Sequence, residues 1–537
     1  MSGQVSRTPY GDLPGFSRLF VDYVEGRSSA ADYYARRFDE DSLLAFAPRT
    51  AAAKRADRSA VAEILVDQQS WWDHDAAALE SARRLHDPEA TVIVTGQQVG
   101  LFAGPLYTVL KALSTVLIAR RLETLSGKPV VPIFWLGSED HDFEEMASAS
   151  VPGRTFTVPK PDVDNTGPVG ALPFGPEIAD LVEQLGESLP TTDFHAEVMA
   201  MVRTSYAPGN TFRDAFAQLL RRLLPETGLV LFAQDDPRVK RLAAPVWKRE
   251  IENWEGADTA LRATSERLAD AYHAQVHIRP SNLFMIEDGQ RLPLDVEDGR
   301  FHLRGTSLSW DRDELVARLE AKPESFSPNV VLRPLTQDWL FPTVAYVGGP
   351  GETAYFAQYQ DVYAWAGIPM PAIVPRTSLT LIEPGIRRSL DRLGVPTTAF
   401  SGDPDALFSQ LARERMEFDV EARFGRTIGE VNKLIAPLTP EVVRVDASLK
   451  KSVEATRAAL QNEIMRLRDR VLKADRRNRD QLRQQVEKVA EGLFPNGRPQ
   501  ERVISPLYFA TKYGPDFFVR LMEDLDTDTR SHLLIDL

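Results

Sequence analysis

The chain has 537 residues, a formal net charge of −14, 43% hydrophobic and 26% charged residues, and no cysteine. The acidic balance argues against broad binding to nucleic acid or anionic membrane, and the missing thiols exclude disulfides, thiolate zinc sites and a cysteine nucleophile. The opening MSGQVSRTPYGDLPGFSRLF has neither the basic start nor the apolar run of a secretory signal, so a cytoplasmic location is expected.

Residues 1–90 read as a helical layer, with Ala31 to Phe38 and Arg58 to Leu85 carrying apolar residues at helical spacing. At Thr91 the texture changes to VIVTG, a buried strand ending in glycine. A helix is predicted from Pro105 to about Leu125, including the apolar patch Val109 to Ala119 that Lys111 interrupts. Further strands are predicted at Val130 to Gly137, Gly228 to Asp236, Thr343 to Gly349 and Pro371 to Arg376. Helix patterns follow at Pro105 onward, Arg238 to Trp254 and Glu352 to Ala366. Strands apolar on both faces that alternate with helices imply a parallel sheet covered on both sides, hence an α/β, doubly wound, Rossmann-like core over 91–382. Two stretches break the alternation and read as insertions: about 150–225, mainly helical, and 277–329, where EDG and EDGR turns suggest hairpins.

After Glu383 the strands are expected to stop, leaving 383–537 as a helical coiled-coil region. Its long segments are Asp403 to Leu434 and Glu441 to Glu491, able to fold back on each other near Ala436 to Pro440. Leu449, Val453, Leu460, Ile464, Leu467 and Val471 keep a three-four spacing, resumed by Leu482, Val486, Val489 and Leu493. Such a seam predicts a homodimer through the coil. Between Arg466 and Lys488 nine basic residues face four acidic ones, a local net of +5. This is expected to be a solvated face with ion pairs such as Asp469 with Lys473, or else a stripe meeting an acidic surface or a phosphate-bearing ligand.

Three segments carry candidate chemistry. In VTGQQVGLFAGPLYTVLKALST, the glycines at 96, 100 and 104 let backbone amides approach an anion between a strand and a helix start, with Gln97 and Gln98 as side-chain donors and Tyr107 and Lys111 nearby. The spacing is neither GxGxxG nor a Walker loop, so a tight structural turn is the competing reading. In FWLGSEDHDFEEM, Trp135 is followed at the strand's C-terminal edge by Glu139, Asp140, His141 and Asp142, a general acid/base set or oxygen and nitrogen metal ligands, unless the acids only cap the next helix. The remaining histidines lack ligand spacing, so no metal site is assigned. In the third, Arg333 offers a planar clamp for an anion, Gln337, Asp338, Tyr346, Tyr355 and Tyr359 offer contacts to a sugar or a base, and Gly349, Gly351 and Glu352 form a turn into a helix. Tyr355 and Tyr359, four apart on one helix face, fit a core face better than a contact.

TGQQVGLFAGPLYT, VVPIFWLGSEDHDFEE and the block from RPLTQD to YVGGPGETAYF, in this order, resemble the signature blocks of the bacillithiol-synthesis enzymes that add cysteine. The similarity extends over essentially the whole chain. It implies a ligase that joins the carboxyl of L-cysteine to the glucosamine amine of glucosaminyl-malate, the last step to bacillithiol. That family is similar in architecture to class I aminoacyl-tRNA synthetases, which implies an adenylate and ATP, yet HIGH and KMSKS are absent here. The activating cosubstrate is therefore left unassigned, with ATP possible. On this reading Gly96, Gly104 and Lys111 hold the anionic or activating group, Asp140 or His141 takes a proton from the amine, and Arg333 binds the malate carboxylates. The competing readings are a metal-dependent hydrolase or nucleotidyltransferase centred on Glu139 to Asp142, and a metabolite-binding scaffold built around the coil.

Overall fold

The computed structural model describes residues 4–161, 167–276, 278–414 and 419–537. They form two compact units, 1–381 with 498–537, and 382–497.

The first unit is built on the five predicted strands, which pair in parallel in the order Ala372–Pro375, Thr343–Gly348, Thr91–Gln98, Val130–Gly137, Val230–Ala233. Strand order runs outward in both directions from Thr91–Gln98, so a crevice opens between its C-terminal end and that of Thr343–Gly348. Alternate side chains enter opposite layers: Phe134 and Leu136 pack with the helix Tyr107–Ser126 and the first insertion, whereas Ile133 and Trp135 pack with the N-terminal helices and the second insertion. This two-sided burial explains why the strands read as unbroken apolar runs.

The first insertion contains the hairpin Ser148–Val151 with Arg154–Thr157, followed by helices Glu177–Ser188, His195–Ser205 and Phe212–Leu223. The second is an antiparallel sheet, Leu283–Glu287, Gln290–Glu297, Arg300–Leu303 and Ser309–Trp310, with Phe326–Pro328 on its other edge.

Several expected elements differ. Ala31 to Phe38 is not a helix; the nearby helices are Ser28–Ala31 and Glu40–Ala52, the second capped by Asp39. The stretch from Arg58 to Leu85 divides into Arg58–Gln68 and Ala76–Arg83, because Trp72 turns into the core, its indole donating to Asp214, and the Asp75 carboxylate restarts the helix by accepting from the Ala78 amide. Glu352 to Ala366 is likewise two helices, Pro350–Phe356 and Gln360–Ala366. Strands do not stop at Glu383. His532–Asp536 lies between Val5–Thr8 and Leu379–Ile382 in a three-stranded sheet, so the last forty residues return to the first unit.

In the second unit Val420–Ile435 packs against the long helix Lys450–Leu493, and Leu438–Val445 joins them. Gln461 donates to Asn432 at 2.7 Å and Arg468 pairs with Glu421, so the two helices run antiparallel. Of the expected Asp403 to Leu434 helix, Pro404–Glu414 and Val420–Ile435 are helical, and 415–418 lie outside the described residues. The seam is buried at Leu482, Val486, Val489 and Leu493, but Leu460 and Leu467 are 44% and 54% exposed. Asp469 pairs with its neighbour Arg468 in place of Lys473.

Candidate functional site

A cavity of about 870 Å³ opens at the C-terminal ends of the parallel strands. Gly96, Gln97 and Gln98 reach it from the first strand, Glu139 and Asp140 from the turn after the second, Gly349 to Glu352 and Arg376 from beyond the last two. Gly96 is required by close approach, since a Cβ there would lie 3.3 Å from both the Trp135 Cβ and its carbonyl oxygen.

Lys111 is buried in the helix Tyr107–Ser126 and forms the floor. Its Nζ donates to the Gly96 carbonyl at 2.7 Å and to Gln97 Oε1 at 3.0 Å, and pairs with Glu352. Glu352 also accepts from the Tyr346 hydroxyl at 2.5 Å and the Gly349 amide at 2.7 Å. Burial pushes the Lys111 ammonium below the usual lysine range. Burial also opposes ionisation of Glu352, but Lys111, the Tyr346 hydroxyl and the Gly349 amide together hold the carboxyl below its ordinary value. An ammonium has three donors, and all three are engaged, so Lys111 clamps the end of Thr91–Gln98 to the helix Pro350–Phe356; the expected role of holding a substrate anion does not fit it.

The four ionisable residues Glu139 to Asp142 diverge. Glu139 is buried, paired with Lys240, and accepts from Ser327 Oγ at 3.0 Å. Asp142 caps Phe143–Met146 by accepting from the Glu145 amide. His141 does not line the cavity. Its Nδ1 lies 2.9 Å from an Arg291 guanidinium nitrogen, which can only donate, so the ring is neutral with its proton on Nε2. Burial, then Arg291, lowers its pKa. His141 thus orients Arg291, which also donates to Ser327 and to the Pro328 carbonyl. Asp140 alone of the four faces the cavity in a partly open setting, its Oδ2 accepting from Gln98 at 2.7 Å.

Arg333 lines the cavity from the helix Leu332–Leu340, its guanidinium 5.4 Å from the Tyr346 ring centroid and 5.9 Å from that of Trp135. Trp135, Tyr107, Tyr355, Gly349, Gly351 and Glu352 line it as expected. Gln337 and Asp338 do not: Gln337 donates to Asp338, which accepts the Tyr363 hydroxyl at 2.5 Å inside the core, where burial pushes the carboxyl up to about 6. Tyr359 is core, donating to the Val330 carbonyl. Gly104 is also displaced. Phe102, Ala103 and Gly104 are three consecutive left-handed residues that carry the chain away from the cavity and seat Phe102 against Tyr206.

Sequence reasoning missed Arg376, Arg291, Arg279, Arg498 and Arg502, all on the cavity wall. Arg376 was discoverable, because it ends a predicted strand. Arg291 sits in a hairpin and Arg498 and Arg502 in a tail read as coiled coil, and nothing local marks them.

Residues 5–377 match the family described as "Bacillithiol biosynthesis BshC, N-terminal Rossmann-like domain", and residues 379–537 match its "C-terminal coiled-coil domain". The chain belongs to the BshC family of bacillithiol biosynthesis. A BshC relative from Salinibacter ruber, "Putative cysteine ligase BshC", is 42% identical over 98% of both chains. One of the same name from Chlorobaculum tepidum is 34% identical over 99% of this chain and 98% of its own. A crystal structure titled as a "putative arginyl t-RNA synthetase" from Campylobacter jejuni covers 84% of this chain and 99% of that one at 10% identity, with a TM-score of 0.21, too low to carry an argument for the BshC fold.

Proposed function

We propose that this chain is an amide-forming cysteine ligase that joins the carboxyl of L-cysteine to the glucosamine amine of glucosaminyl-malate, the last step of bacillithiol biosynthesis. The observation that carries this reading is full-length similarity to relatives named "Putative cysteine ligase BshC", joined to a cavity at the strand ends whose lining includes charged residues. Amide formation needs an activated acyl group and an unprotonated amine. Asp140, which faces the cavity and accepts from Gln98, takes the amine's proton on this reading. Arg333, which lines the cavity beside Trp135 and Tyr346, is on this reading a carboxylate contact. ATP is the activating cosubstrate to supply first. No helix among the described residues is long and apolar enough to cross a membrane.

The test is incubation with cysteine, glucosaminyl-malate and ATP, with detection of the coupled product by mass. Omitting ATP in a parallel arm assigns the activating group. No product in any arm overturns the reading. Asp140→Asn should lower turnover on the order of a hundredfold or more, and His141→Ala should lower it less, because it acts through Arg291. An Asp140→Asn enzyme as fast as wild type would remove the acid/base assignment.

A further inference from the structure

One end of the cavity concentrates positive charge that the assigned chemistry does not use. Arg376, 3% exposed, donates to both oxygens of Glu501, at 2.8 and 2.6 Å, and to the Thr377 carbonyl at 2.8 Å. Its Nε is buried with no hydrogen-bond partner, although the residue lines the cavity. Arg498 and Arg502 line the same cavity, and neither forms an ion pair among the described residues. Arg502 packs instead over the Phe16 ring at 5.2 Å.

The nearby carboxylates are already committed. Glu501 also accepts from Ser378 and the Leu379 amide, Glu352 is held by Lys111, and Glu145 by Gln98 at 2.6 Å. Three guanidiniums therefore share one fully engaged carboxylate, which leaves two positive charges unmatched in a partly enclosed space. Burial, and then the neighbouring Arg376, holds the Arg502 guanidinium below its usual range, with Arg498 adding to the effect and Glu501 opposing it.

From this geometry we propose that Arg376, Arg498 and Arg502 form a dianion-binding subsite. Guanidinium forks suit two carboxylates borne on one small unit, or a phosphoryl group, and both present paired oxygens with two negative charges. The first source is the malyl end of the acceptor, which would move malate recognition from Arg333 to this cluster; the second is a phosphorylated activating cosubstrate. The first assignment rests on the ligase reading, whereas the subsite itself does not.

The experiment is calorimetric titration of the full chain with L-malate and, separately, with inorganic pyrophosphate, repeated on Arg498→Gln and Arg502→Gln. Arg498 is exposed and makes no hydrogen bond or ion pair among the described residues, so its variant should fold as wild type does. Wild type should bind one of the two anions, and each substitution should weaken that binding about tenfold. Malate binding assigns the acceptor's malyl end, and pyrophosphate binding a phosphoryl cosubstrate. Absence of binding by either anion, or unchanged binding in both variants, overturns the subsite. Because binding is read without turnover, a protein that holds the dianion but makes no amide refutes the ligase reading and leaves the subsite standing.

Discussion

His532 gives a stability prediction that can be worked through from its contacts. It is buried in the C-terminal strand, with Nδ1 2.8 Å from Ser378 Oγ and Nε2 2.9 Å from Thr380 Oγ1. Ser378 spends its only proton on Glu501, so His532 donates from Nδ1; burial keeps the ring neutral, which leaves Nε2 to accept from Thr380 Oγ1. Burial depresses its pKa from 6.5 to about 4. Between those values the unfolded chain binds the proton and the folded one does not, so stability rises with pH across that window and is lost as pH falls from about 6.5 towards 4. The gap corresponds to about 3 kcal/mol in total. Glu250, raised to about 7, and Asp338, raised to about 6, act in the opposite sense, losing stability as pH rises. The assay must therefore compare His532→Gln, which keeps a donor and an acceptor but does not titrate, with wild type. Calorimetric melting between about pH 4.5 and about pH 7 should show the wild-type transition falling more steeply on acidification than that of the variant. Parallel profiles would refute the neutral-ring argument.

Lys111→Met leaves Glu352 without its cation and should cost about 3 kcal/mol, with partial recovery in the double variant Lys111→Met, Glu352→Gln; denaturant unfolding of the four proteins checks this, and additive losses would show that the pair is not coupled. The exposed Leu460 and Leu467 on the coil are expected to be covered by a second copy of the chain, so glutamate at both should give monomers in sedimentation. A wild-type protein already monomeric at micromolar concentration would remove that expectation.

The sequence by itself determined the sheet. Two-sided burial writes each central strand as a short apolar run, and the strand-end rule then put Gly96, Gln98, Asp140 and Glu352 at strand ends, whereas Arg333, which precedes its strand, joined them through the family resemblance. It also determined the long helix of the second unit, because a repeating apolar stripe is a local signal. What only the tertiary structure decided is which charges are already spent. Lys111 and Glu352 are 241 positions apart in the chain, yet they neutralise each other; His141 is committed to Arg291 and Glu139 to Lys240. The return of residues 498–537 was equally invisible, since His532–Asp536 pairs with Val5–Thr8 across almost the whole chain. Local spacing records the face a residue presents, whereas a partner hundreds of positions away leaves no trace in it, and that is why the arginine-rich end of the cavity appears only once the chain has closed on itself.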